Sequence, residues 1–494
     1  MLLGFDKKLA KGHTPQIVLF TIKFKRQKLS MKPHSQDPTF IKIKDTVINL
    51  AKHNQVFYGW RISQIDSRSI QDLFLCNNKL QLHSYQNRDV QEKIYNIDVY
   101  TRSQNPVVMG NSSYILDPNI SFEDQINRAI SNALQATNKP WDLPQPETEK
   151  SKQVITFDPQ IKENINAAHQ KLIGQASTKV ATIKEVKVNS AELYTKMQTT
   201  FFETSTGIIG EEEQSDIYFE IALEKLPLPN TQEVLQSKTA IGIEDADLPG
   251  FIDEVVSETL YLDKAALPKT NNNATVMINA KYIAKIVNTL ISQIHASNEY
   301  NKTPFLPVGS KIYNGDKNSS SDHLKVTLDP TLPVMTASCA FTPEGLIPKR
   351  AVVIDNDVVC EQIVTNRMAQ YLNKKRNPIA GNMVVALGSK SKEELLESMP
   401  ECIDVISFSS LRADTFTLTW SSEIKLAKLY RYGKLMGMIK GGVVSGSIKD
   451  NFTNFCFSNK EKRFNDISRY SYNSKGYVGP DAMLIKNGIK VAGE

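Results

Sequence analysis

The stretch that most constrains this chain runs from Asn279 to Ser297, NAKYIAKIVNTLISQIHAS. Ala280, Ile283, Val287, Leu290, Ile291 and Ile294 recur at intervals of three and four, which predicts a helix with one apolar stripe. Asn279 is placed to cap its first turn. The other face carries Lys281, Lys285, Asn288, Ser292 and Gln293. A hydrolytic zinc site on such a helix needs neutral imidazoles as ligands and a carboxylate to take a proton from the bound water. Here only His295 offers a ligand, and nothing beside it offers the base.

The sequence that follows this helix is built for strands. Thr342-Pro343-Glu344-Gly345 reads as a turn, and Asp355-Asn356-Asp357 as the tip of a hairpin between AVVI and VVCEQIV. Ser391 to Ser398 reads as a short helix, with Glu393 and Glu394 in its first turns, where the helix dipole favours acids. FTLTW, LYRYG, KLMGMI and FTNFCF add further strands, so a large antiparallel or barrel-like domain with few helices is expected here.

Upstream the pattern is mixed. Residues 40–54 fit a helix, 56–66 a strand, and SIQDLFLCNNKLQLHSYQ a hairpin about the turn pair Asn77-Asn78. A strand at 93–102 and the turn LDPN at 116–119 precede a helix opened by Ser121 and Asp124, with Ile126, Ala129, Ile130, Ala133 and Leu134 as its apolar stripe. NKPWDLPQPETEKSKQ, 138–153, is rich in proline and charge and reads as a linker, with Trp141 as a packing anchor. Asp158-Pro159 opens a helix over about 160–175, and a strand meander ending near Pro229 follows. The acid run Glu211-Glu212-Glu213 reads as a solvated tip between two strands. The helix expected over 249–262 leads into the strand ATVMIN. The expected class is α+β: an N-terminal α/β part with an antiparallel sheet, then a large β-rich C-terminal domain. The boundaries expected are a basic tail 1–38, an α+β domain 39–137, the linker 138–153, a middle α/β region 154–248 and the β-rich domain 249–494.

Composition narrows the function classes. A net charge of +6 over 494 residues is modest, and much of it lies in the first 32, where Asp6 faces Lys7, Lys8, Lys11, Lys23, Lys25, Arg26, Lys28 and Lys32. The remainder is near neutral, which gives nucleic-acid binding little support. The tail reads as disordered or as an upstream extension, since Met31 begins a second plausible N-terminus. No run reaches the roughly 18 apolar residues of a membrane span. Cys76, Cys339, Cys360, Cys402 and Cys456 stand singly, which argues for a reducing, cytoplasmic setting over a disulfide framework or zinc ribbon.

Several segments, in order, resemble the TldD/PmbA (TldE) family. They are DPTLP at 329–333, Glu344-Gly345 with Arg350, Asp355-Asn356 with Val358, LYRYGKLMGMIKGGVVSG, and PDAMLIKNGIKVAG near the C-terminus. A lighter resemblance covers the region after residue 40: the Asn-Asn-Lys-Leu hairpin, Lys-Pro-Trp with Leu-Pro, and Glu-Thr-Ser-Thr-Gly. The resemblance implies two kinds of chain. TldD-type chains carry His-Glu-x-x-x-His on the helix described above and a cysteine near the C-terminus; these bind a metal and cleave peptides. TldE-type chains lack both and act as the partner. In this sequence the motif register falls on Asn288, Thr289 and Gln293, and SKGYVGPDA at 474–482 holds no cysteine. Cys456, in FTNFCFS, is expected to be buried in a strand.

Other candidate chemistry is thin. His323 beside Asp322 sits in the polar loop NGDKNSSSDH and reads as solvated; His169 in a helix and His53 at a helix end have no partner in sequence. Ser445 in VVSGS lacks the G-x-S-x-G elbow, and GMIKGGVVSG lacks the spacing of a phosphate-binding loop. The sequence reading is therefore a TldE-like, catalytically silent subunit with no catalytic, cofactor or metal residues of its own. Zinc is expected in a TldD-type metallopeptidase partner, an extended or unfolded peptide is the expected substrate, and neither nucleic acid nor membrane is expected to bind. Two rivals stay open: a stand-alone peptide-binding or chaperone-like protein, and an enzyme whose site joins His295, His323 and nearby acids.

Overall fold

The computed structural model describes residues 37–76, 80–82, 86–148, 154–227, 232–262, 264–466 and 475–494. The basic tail up to residue 36 and the Asn77-Asn78 turn lie outside them, and residues 37 and 38, expected in the tail, open the first helix. The first part of the chain runs α1 (Pro38–His53), β1 (Phe57–Cys76), β2 (Leu80–Leu82), β3 (Arg88–Gln104), β4 (Val107–Leu116), α2 (Phe122–Ala133), α3 (Pro159–Glu163), α4 (Ile165–Val180), β5 (Val186–Thr204), β6 (Ile209–Lys225), β7 (Glu233–Ala240), α5 (Ile243–Ala246) and α6 (Leu248–Leu262). Its strands form one antiparallel sheet in the order β4-β3-β1-β5-β6-β7, with β2 paired to β1.

β1 is a single 20-residue strand, paired along its length with β3 and β5, and its two-residue alternation shows on either side of Asp66 and Arg68. Trp60, Ile62, Gln64, Ile70, Asp72 and Phe74 are buried, while Ser63, Ser67 and Ser69 line the other face. The predicted strand 56–66 and the first arm of the predicted hairpin are thus the same strand, and β2 returns antiparallel with Cys76 opposite Leu80. Helices cover one face at two places. Phe40, Ile43 and Val47 of α1 join Phe122, Ile126, Ala129 and Ile130 of α2 over Trp60, Ile62 and Ile97. Ala168, Leu172 and Ala176 of α4 join Ile252 and Val255 of α6 over Leu193, Phe219 and Ile221.

Caps explain where these helices begin. Asp37 accepts from the backbone of Thr39 and Phe40, and Ser121 from that of Asp124. The helix expected over 160–175 is two helices: Asn164 leaves the helical conformation, and its side chain caps α4 by accepting from Ala167 N. Leu134, expected in the α2 stripe, follows the helix and is exposed. The meander continues beyond Pro229 as β7. In the segment that follows α2, Trp141 is buried edge-on against Tyr100 and Tyr371, the packing role expected of it.

The second part comprises β8 (Ala265–Ala266), β9 (Val276–Asn279), α7 (Ala280–Ser292), α8 (Ala296–Asn301), β10 (Val326–Asp329), β11 (Ala351–Asp355), β12 (Val358–Val359), α9 (Asn366–Tyr371), β13 (Asn382–Val385), α10 (Lys392–Glu397), β14 (Cys402–Phe408), β15 (Arg412–Ala413), β16 (Thr419–Arg431), β17 (Lys434–Ile439), β18 (Val443–Ser447), α11 (Ile448–Asn451), β19 (Phe455–Phe457), β20 (Glu461–Asp466), β21 (Lys475–Pro480), β22 (Ala482–Ile485) and β23 (Ile489–Ala492). Among the described residues these give a six-stranded and a ten-stranded sheet, in keeping with the expected α+β class and its β-rich C-terminal domain. Parallel pairs, β9 with β14 and β13 with β21, join the hairpins to one another.

Asn356 and Asp357 both have positive φ, 48° and 63°, so the hairpin tip expected at Asp355-Asn356-Asp357 forms as a two-residue turn, with Asp355 the last residue of β11. Ser391 and Glu394 form a capping box on α10. No helix among the described residues is long and apolar enough to cross a membrane.

Candidate functional site

α7 leaves β9 at Asn279, whose side chain accepts from Lys281 N and donates to Ile406 O at 3.0 Å, fixing the helix to β14. Ala280, Ile283, Val287, Leu290, Ile291 and Ile294 are buried as predicted. The helix is shorter than the predicted span. It ends at Ser292, Gln293 closes its last turn, and His295 stands at the start of α8. Gln293 also departs from the polar face expected for it: it is buried, and its amide donates to Thr415 O and Phe416 O. The Thr289 hydroxyl donates to Lys285 O at 2.8 Å.

The motif register thus holds an amide, a hydroxyl and an amide, two of them already engaged with backbone carbonyls. Zinc is bound by thiolate, imidazole or carboxylate, so these three residues do not fit it. His295 is half-buried with no charged neighbour, and burial holds its pKa below the ordinary value of 6.5. Among the described residues there is no group of three or more His, Cys, Asp and Glu placed to share a metal.

The segments that carry the family resemblance have structural work to do where the two parts of the chain meet. Asp329 accepts from Arg350 Nε at 2.6 Å and from Thr331, which ties the DPTLP strand end to the start of β11. Gly345 adopts φ +82° in the turn closed by its N–H to Thr342 O. Glu344 accepts from the backbone of Asn366 and Arg367, capping the first turn of α9, and burial pushes its carboxyl pKa up.

The same loop lies on the uncovered face of the long sheet. Arg61 donates to Pro343 O and stacks over Phe202, which meets Phe341 edge-on. Glu212 accepts from Ala340 N at 2.6 Å and Phe341 N at 3.0 Å. Burial raises the Glu212 carboxyl, opposed by those two amides and by Arg61, and pushes the neighbouring Cys339 thiol up to about 12. The acid run 211–213, expected as a solvated tip, therefore lies inside β6, with Glu212 as a clamp and Glu213 paired with Lys162 at 2.5 Å. The turn lies earlier, at Ser205 to Gly207.

The remaining candidates divide. His323 is not a free loop residue. Its Nδ1 lies 2.5 Å from Asp357 Oδ2, and that carboxylate also accepts from Lys317 Nζ at 2.5 Å and Leu324 N at 2.7 Å. Asp322, its sequence neighbour, instead accepts from Phe457 N. His169 has two spatial partners that its helical position hides: Asp72 Oδ2 at 3.0 Å from Nε2 and Thr195 Oγ1 at 2.9 Å from Nδ1. All three are buried, so no substrate reaches them. Cys456 is buried in β19 as expected, and Ser445 lies in the middle of β18 with no imidazole beside it in the sheet register.

The chain is an α+β protein in which a helix-backed antiparallel sheet is clamped to a β-rich domain that presents α7, and residues 271–493 of that second part match the family model described as PmbA/TldA metallopeptidase C-terminal domain. That domain is thus of the PmbA/TldD type. Its fold is similar to that of a protein of Bacteroides thetaiotaomicron described as a candidate modulator of DNA gyrase (TM-score 0.73, 14% identity, covering 92% of this chain and 98% of that one). It is also similar to TldE from Thermococcus kodakarensis (0.72, 14%, 91% and 100%). A Thermotoga maritima protein, likewise described as a candidate gyrase modulator, gives 0.71, 16%, 92% and 99%. No curated protein matches the sequence.

Proposed function

We propose that this chain is a non-catalytic, TldE-like subunit that pairs with a TldD-type zinc metallopeptidase chain and helps present an extended peptide to that partner's metal. The observation that carries the reading is on α7. Where peptide-cleaving relatives place two imidazoles and a carboxylate, this chain has Asn288, Thr289 and Gln293, with Gln293 buried and bonded to the 415–416 backbone. A carboxamide does not replace an imidazole on zinc, and a threonine hydroxyl does not replace a carboxylate as proton acceptor at neutral pH. The similarity of fold to TldE supports the same assignment. Peptide maturation or the degradation of unfolded chains, in the cytoplasm, is the work such a complex would do.

The test is metal content and peptidase activity of the chain alone and after co-expression with a TldD-type chain. The expected result is no metal and no cleavage alone, with zinc and cleavage in a co-purified complex. Stoichiometric metal or cleavage by the lone chain would overturn the reading. Failure of the two chains to associate would favour the stand-alone peptide-binding protein.

A further inference from the structure

Four neighbouring strands of the C-terminal domain bring four hydrogen-bond donors into one row. Arg412 of β15 lies opposite Ser421 of β16, Ser421 opposite Ser445 of β18, and Ser445 opposite Lys490 of β23. Three strand spacings separate the two cations by about 14 Å at the backbone. Both carry long flexible side chains able to converge over the two serines between them. The row floors a cavity of about 690 Å³ whose wall includes Asn272, Asp414, Thr419 and Asp450.

No residue of α7 lines the cavity. Trp420, next to Ser421 on the strand, points through the sheet to its other side, where it is buried and donates to Asn451 Oδ1 at 2.8 Å. There Phe408 lies between it and Tyr282 of α7, with ring centroids 6.1 and 4.7 Å apart.

Acceptors and donors in the cavity are unequally used. Asp414 accepts from Phe416 N at 2.7 Å and Thr417 N at 3.0 Å, and Asp450 accepts from Asn314 Nδ2 at 2.8 Å. Among the described residues, the Arg412 guanidinium, the Lys490 ammonium and the Ser421 and Ser445 hydroxyls engage no side chain or carbonyl. Each carboxylate is thus held through one oxygen, Oδ1, whereas the four donors of the row are all free, and a row of free donors is complementary to a group that only accepts. Guanidinium, ammonium and hydroxyl together suit an oxyanion, to which charge-assisted hydrogen bonds are roughly twice as strong as neutral ones.

We propose that the row Arg412, Ser421, Ser445 and Lys490 is an oxyanion-binding site that takes the phosphate or carboxylate group of a ligand. It does not depend on the silent-subunit reading, because the row shares no residue with the motif register.

Calorimetric titration of the full chain with inorganic phosphate, with a short peptide bearing a free C-terminal carboxylate, and with the same peptide as its amide tests the site. The expected result is binding of at least one oxyanion, weakened tenfold or more in the R412Q/K490Q double variant and reduced by added salt. Both replaced side chains are exposed, so the variant should melt like the parent; S421V/S445V provides an independent second variant. Binding of phosphate alone supports the site with a phosphate-bearing ligand. Binding of the free acid but not the amide supports it with a chain terminus. Absence of binding by either anion, or binding unchanged in both variants, overturns it.

Discussion

Two imidazole–carboxylate pairs sit in the two parts of this molecule, built alike and placed oppositely. In the N-terminal sheet the His169 side chain is 1% exposed and its Asp72 partner 8%; in the C-terminal domain the His323 side chain is 58% exposed above an Asp357 that is 1% exposed. The first is a polar pin through a core, its two ring nitrogens both satisfied between β1, β5 and α4. The second is anchored by its carboxylate alone, and its imidazole is a rim group. Residue type and spacing in space are similar, so burial is what separates a structural pair from one that solvent or a ligand can meet.

The largest effect should come from the buried half of the exposed pair. Asp357→Ala leaves the Lys317 ammonium and Leu324 N–H without their acceptor, and removing one member of a buried ion pair costs about 3–5 kcal/mol. His323→Gln should cost less than about 1 kcal/mol, as exposed ion pairs do. Urea midpoints of the two variants check this, and comparable losses would break the asymmetry.

The sealed pair should come next: His169→Ala strands Asp72 and Thr195 in the core and opens a cavity, at about 2–4 kcal/mol. A loss near zero would show that water or a rearranged side chain fills the gap.

His295 sharpens the comparison as an imidazole with burial and no charged partner. Its folded pKa lies below 6.5, so below that pH the unfolded chain takes up a proton that the folded chain resists. The stability this confers is present above pH 6.5 and is lost as the pH falls. His295→Asn should flatten the decline in melting temperature between neutral pH and about pH 5, and an unchanged slope would assign that decline to other groups.

What was legible in the sequence was what periodicity and turn chemistry write locally. The α7 stripe, the Asn279 and Ser121 caps, the short helix α10 and the hairpin tip at Asp355-Asn356-Asp357 all follow from neighbouring residues, and the structure forms them. The break at Asn164 is a local competition that helical periodicity alone does not register, since the asparagine gains more by capping α4 than by continuing α3. The His169 and His323 pairs join residues 97 and 34 positions apart, so no window of sequence contains them. Glu212 misled for a related reason: a run of acids resembles a solvated tip until the 338–345 loop, more than a hundred residues on, is seen to need its carboxylate. For the α7 register, the types of residue at 288, 289 and 293 were visible at once, whereas the engagement of Gln293 by the 415–416 backbone was not.

The pairing of β1 with β5 carries a consequence for how the protein is made. β1 is complete by residue 76, yet fifteen of its residues, Arg61 to Leu75, find their partners only between Ser190 and Thr204. While the chain emerges from the ribosome, β3 can close one side of β1, but its other edge stays open until more than a hundred further residues have been synthesised. Closing so long a loop delays the pairing, and an unpaired edge of that length invites other chains. The nascent protein thus has a defined interval of vulnerability, in which a chaperone able to shield a bare strand edge would matter more than at any later stage.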